Sequence, residues 1–169
     1  MTQPDAEIRY LRLRADTLMG MFRNLSEPAR AQALAALVRS AAEHVGDSAG
    51  RYFESSGGDA TALLAMIERI AGELGWGSWR FAQRTATRLV LEVADSPFAA
   101  GYGPADTEVC APITGMLQAV AELALGCACE AREVQCGARG ATSCRFEAIV
   151  KGKPGLEEPF AAFSRPMVR

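Results

Sequence analysis

Residues 127–150 read CACEAREVQCGARGATSCRFEAIV. Two runs in this stretch, about 129–136 and 144–151, have strand character. Between them Gly137 to Ser143 supplies turn chemistry, so the segment is expected to fold as a β-hairpin. The hairpin brings Cys136 and Cys144 to either side of one turn, with Glu133 slightly earlier on the first strand. Immediately upstream, Pro112 fits the first turn of a helix that starts near Cys110 and runs to about Leu125, with Gly126 behind it. Ile113, Leu117, Val120 and Ala124 mark its core face.

Further upstream the segment Asp95-Ser96-Pro97-Phe98, followed by Gly101, Gly103 and Pro104, reads as a loop. Before it the apolar period is two. Trp79 and Phe81, then Leu89, Leu91 and Val93, form two strands joined by a turn near Arg84 to Ala86. A helix capped by Asp59 precedes them, with Leu63, Leu64, Ile67, Ile70, Ala71 and Leu74 on one face and Gly75 as its left-handed stop. Ser26 and Pro28 open another helix, which the pattern ends at Gly46; its stripe is Leu34, Leu37, Val38, Ala41 and Val45. Asp47 to Gly58 reads as turn-rich. The first helix spans Asp5 to Phe22 through Ile8, Leu11, Ala15, Leu18, Met19 and Phe22. The tail from Lys153 is expected to be irregular.

Helices, a hairpin, a helix and a second hairpin make an α+β domain, an antiparallel sheet packed with helices. The expected organisation is an N-terminal helical segment at 1–58, a core at 59–152 and the tail at 153–169.

With 169 residues, 49% hydrophobic and 22% charged, the chain has the profile of a globular protein with an ordinary core. A net charge of −2 argues against a nucleic-acid surface, which needs a Lys/Arg excess. No apolar run approaches the roughly 18 residues of a membrane span. Charges at Asp5, Glu7, Arg9, Arg12, Arg14 and Asp16 make the start of the chain unlike a secretion signal, so a cytoplasmic location is expected.

The five cysteines are Cys110, Cys127, Cys129, Cys136 and Cys144. An odd count without an export signal argues against a disulfide framework. Two readings of the cluster remain open, metal binding and simple core packing. If the helix beginning at Cys110 packs on the hairpin, Cys110, Glu133, Cys136 and Cys144 meet. Three sulfurs and a carboxylate make a tetrahedral shell of the zinc type. A helix N-terminus favours the thiolate, the form that binds metal. Arg132, Arg139 and Arg145 are near enough in sequence to offset some of the charge. Cys127 and Cys129 are expected to pack in the core.

The spacing Cys110…Glu133-Val134-Gln135-Cys136…Cys144-Arg145-Phe146 resembles the 4-vinyl-reductase-like domain family, including the sensory domains of phenol- and xylene-responsive activators. Leu74-Gly75-Trp76-Gly77 and Asp95-Ser96-Pro97-Phe98 resemble it as well, so the likeness covers about residues 60–150. The resemblance implies a structural Zn2+ held by Cys110, Glu133, Cys136 and Cys144. It also implies a small hydrophobic ligand (aromatic, tetrapyrrole-like or lipid) and a homodimer formed through N-terminal segments. The activators continue into an ATPase and a DNA-binding helix pair, for which 169 residues leave no room. A sensor of this length would therefore signal through a partner.

Gly75-Trp76-Gly77 joins a helix to a strand, the reverse of a dinucleotide loop, and no nucleophile elbow is present. His44 lies in an ordinary helix, and Glu68 and Glu73 on a polar helix face. Catalysis by the chain alone is not expected. The expected function is a ligand-binding sensor or carrier. The alternatives are an enzyme or accessory acting on a tetrapyrrole vinyl group, and a structural dimeric adaptor. Trp76, Phe98 and Tyr102, at element ends or in loops, are the candidate ligand-binding residues.

Overall fold

The computed structural model describes residues 11–152. The expected positions of Ile8 and of the tail from Lys153 lie outside the described residues. Five helices and four strands follow in the order α1 (Ala15–Arg23), α2 (Glu27–Ser55), α3 (Ala60–Glu73), β1 (Ser78–Arg84), β2 (Arg88–Ala94), α4 (Pro97–Tyr102), α5 (Ala111–Leu125), β3 (Cys129–Gln135) and β4 (Cys144–Val150). A single 3₁₀ turn at Gly137–Arg139 links the last two strands.

The sheet is antiparallel throughout, in the order β1-β2-β4-β3, so the two hairpins join along β2 and β4. Leu89, Leu91 and Val93 on β2 and Phe146 and Ala148 on β4 belong to the buried core. Alternate residues belong to the other face, where Arg80 pairs with Glu92, Arg145 with Glu92, and Arg88 with Glu147. Val90 is fully buried on that face, opposite Glu147 and between Arg88 and Glu92. The long arginine stems account for apolar burial on a charged face.

α5 is buried on nearly every side from Ala111 to Ala121, as befits a central helix. It packs on α2, α3 and the sheet. The α2–α5 crossing is close because Gly115 has no side chain: a Cβ there would lie 2.3 Å from the Val38 carbonyl oxygen. α1 approaches α4 in the same way, since a Cβ on Gly101 would lie 2.6 Å from the Ala15 backbone. Asp59 caps α3 by accepting the Thr61 amide at 2.8 Å, and Gly75 follows with φ +74°.

Two expectations need correction. α2 does not end at Gly46 but continues to Ser55, through the stretch read as turns. Gly46 packs against Ala119 of α5, with 3.6 Å from its would-be Cβ, so its missing side chain serves helix packing. The segment after Asp95 is also more ordered than a loop. Ser96 accepts the Ala99 amide at 3.4 Å and Pro97 opens the short helix α4.

Candidate metal centre and the neighbouring cleft

Three pieces of backbone converge at one corner of the sheet. Cys110 is the residue that precedes α5, Glu133 and Cys136 lie at the end of β3, and Cys144 opens β4. Their ligand atoms all lie within 4.8 Å of one another. The Sγ atoms of Cys110 and Cys144 are 3.8 Å apart. A tetrahedral ion with bonds of about 2.3 Å to sulfur has an edge of about 3.8 Å, so this pair already has the required separation.

The three cysteines are 1% exposed. Glu133 is partly exposed as a residue, but its Oε1 is buried and has no hydrogen-bond partner among the described residues. Its other oxygen accepts the Cys110 amide at 2.9 Å, which fixes the carboxylate beside the helix start. A buried carboxylate oxygen without a partner is costly, and a cation would satisfy it. The donor set and the orphaned oxygen therefore fit a metal ion, and the four residues form a buried cluster that could bind one.

Electrostatics in the bare cluster point the same way. Hydrogen bonds from Cys110 and Cys136 draw the Cys144 thiol down to about 4, aided by the Gly137 amide at 3.2 Å. Cys110 is pushed up, first by donating to Cys136 and Cys144 and then by burial. Burial pushes Glu133 up to about 8. One negative charge is tolerated, and the others are resisted for want of a cation.

Two polar supports were not singled out from the sequence. Ser96 Oγ lies 3.3 Å from Cys110 Sγ, and the Gly137 amide donates to Cys144 Sγ. Ser96 was legible only as the residue before Pro97, a capping signal. The arginines play a different part from the one expected. Arg139 pairs with Glu108, and Arg145 pairs with Glu92 and Glu147. Arg132 sits opposite Glu147 in the strand register.

Cys129 is buried at the far end of β3, opposite Val150, as expected of a core residue. Cys127 is exposed, which corrects its expected place in the core. It follows Gly126, where the chain turns out of α5 toward β3.

Among the candidate ligand residues, Trp76 and Phe98 meet edge to face at 5.0 Å, and Trp79 lies 6.4 Å from Trp76. Phe98 and Tyr102 are buried and Trp76 is half-buried. Tyr102 borders a different space, a pocket of about 370 Å³ shared with Arg23 and Arg30, and its carbonyl accepts Arg23 Nη1 at 2.9 Å. His44 is exposed on α2. Glu68 departs from the solvated role expected of it, since Oε1 accepts the Phe81 amide at 2.6 Å. A larger cleft of about 600 Å³ opens on the metal corner, with Ser96, Gly137 and Cys144 in its wall.

No helix among the described residues is long and apolar enough to cross a membrane. No curated protein matches the chain. Its fold is similar to that of the phenol-responsive sensory domain of the transcription activator PoxR, solved with phenol. That likeness has a TM-score of 0.72 at 17% identity and covers 85% of this chain and 78% of that one. It is also similar to a vinyl-4-reductase family protein from Methanocaldococcus jannaschii, with TM-score 0.51, 13% identity and coverage of 83% and 97%. A trafficking protein particle complex subunit 3 from Naegleria fowleri, covalently bound to palmitic acid, gives TM-score 0.55 at 12% identity and coverage of 82% and 95%. These likenesses show the fold. Residues 89–150, from β2 through α5 to the end of β4 and including all four residues of the cluster, match the 4-vinyl-reductase domain, and the family resemblance seen in the sequence is thereby shown over that span.

Proposed function

We propose that the chain is a small-ligand-binding sensor domain whose cysteine–glutamate corner holds one structural zinc ion. The observation that carries this reading is the family match over residues 89–150 together with the shared fold of a phenol-sensing domain. Cys110, Glu133, Cys136 and Cys144 would each supply one ligand atom. Four protein ligands complete a tetrahedral shell and leave no position for a reacting water, so zinc there would be structural. Its part is to fix the start of α5 to the β3–β4 hairpin.

The ligand class this reading favours is a small aromatic compound, ahead of a tetrapyrrole or lipid. Trp76, Phe98 and Tyr102 are the residues proposed to meet it, where aromatic faces give area and edge contacts. The proposed ligand core is residues 59–152, with 1–58 as a dimerising helical segment. The sensor would act in the cytoplasm through a separate signalling partner. Native mass spectrometry of protein purified without added metal or chelator tests the reading. One zinc per chain, a dimer mass and a retained small molecule are the expected result. Well-folded, metal-free protein would overturn the zinc assignment.

A further inference from the structure

The cleft of about 600 Å³ beside the metal corner is separate from the Trp76–Phe98 contact, and neither of those residues lines it. Its walls come from the end of β2, from α4 and the segment after it, and from the β3–β4 connection. Small side chains at Ala99, Ala100, Ala105 and Ala138 leave it open and mostly apolar. That size suits a small molecule.

Two charged residues line it, Asp95 and Arg139. Arg139 is already neutralised by Glu108 at 2.5 Å. The Asp95 carboxylate has no hydrogen bond or ion pair among the described residues, although several arginines of the chain find carboxylate partners. The uncompensated charge in the cleft is therefore negative. Asp95 is also the one non-glycine described residue with positive φ, at +56°. A left-handed aspartate is tolerated but uncommon, and such outliers gather at binding sites.

The geometry points to a second binding site, in which this cleft takes an amine-class cation carried on a short apolar stem, with Asp95 as its counter-ion. The ammonium would pair with Asp95 and the stem would lie on the alanine wall. Ser96 and Cys144 belong to both the cleft and the metal corner, so an occupant would rest against the outer side of that corner.

The test is an NMR titration of the full zinc-loaded chain with hexylamine at fixed ionic strength, with hexanol as the uncharged control. Saturable shifts are expected at the amides of Asp95, Ser96, Ala100 and Gly137, with hexanol weaker by about tenfold or more. Asp95→Asn keeps the shape and the left-handed backbone and is expected to weaken hexylamine about tenfold. Ala100→Leu, at an exposed position of α4, is expected to fill the cleft and abolish binding without unfolding the chain. The proposal is overturned if no saturable shift appears, if the shifts centre on Trp76 and Phe98, if hexanol binds equally well, or if both variants bind as the parent does.

Discussion

Cys110 and Cys144 lie 34 residues apart in the chain, yet their Sγ atoms sit 3.8 Å from each other. The contact joins the first residue before a buried helix to the first residue of a central strand. Whatever holds these sulfurs together therefore couples the helical layer to the sheet.

Replacing Cys144 by alanine is expected to remove zinc and to lower the melting temperature by about 10 °C, as a loss of about 3 kcal/mol would. Metal analysis and a thermal melt on the same sample check it. Full zinc with an unchanged melt would show that Cys144 is not a ligand.

Cys127→Ala and Cys129→Ala are expected to keep the full zinc content. The first should leave stability within about 0.5 kcal/mol, because the side chain is exposed. The second should cost about 1 kcal/mol for a small buried group lost at the base of β3. Loss of metal in either variant would redraw the ligand set.

Stripping the wild-type protein with a strong chelator should reproduce the melt of Cys144→Ala, and adding Zn2+ should reverse it. Acid should act in the same direction, because protons compete for thiolates and carboxylate. Zinc retention is therefore expected to fall steadily from about pH 7 to about pH 5. Retention that rises with acid would exclude thiolate ligation.

Gly115→Ala should cost about 3 kcal/mol, since the new Cβ meets the Val38 carbonyl at 2.3 Å and two packed helices must separate. Gly72→Ala is the matched control. It lies on exposed α3 with nothing near its would-be Cβ, and should stabilise by about 0.5–1 kcal/mol. Chemical denaturation of the pair separates close approach from helix propensity.

Phenol, the ligand of the PoxR domain with the same fold, is the first probe for the proposed aromatic site. Phenol binding, followed by NMR chemical shifts, should weaken at least about threefold in Trp76→Phe and in Phe98→Leu, because both alter the edge-to-face contact at 5.0 Å. Unchanged binding in both would remove these residues from the ligand site.

Much of the fold was written in local pattern. Asp59 and Gly75 bracket α3, and the period-two runs locate all four strands. The pairing of β2 with β4 was not legible, because strand order is a matter of distant contacts rather than of any one stretch. Gly46 misled because glycine ends some helices and lets others pack closely, and only the neighbouring Ala119 distinguishes the two. α4 was missed because six residues are too few to display a helical period. The ligand cluster was readable in the spacing of Cys110, Glu133, Cys136 and Cys144. Its supports were not: Ser96 and the Gly137 amide act through geometry that no spacing encodes.

The seam between the two hairpins has unlike ends. At one end Val93 faces Cys144 in the register. At the other, backbone bonds from Val150 to Thr87 at 3.0 Å and from Lys151 to Ala128 at 2.8 Å close the ladder. Such a seam should fray in one direction only. With metal withdrawn, amide hydrogens near Val93 and Cys144 should exchange early, while those near Leu89 and Ala148 stay protected until global unfolding. The corner would then behave as a latch on a zip whose other end is permanently sewn, so that its local opening need not cost the sheet.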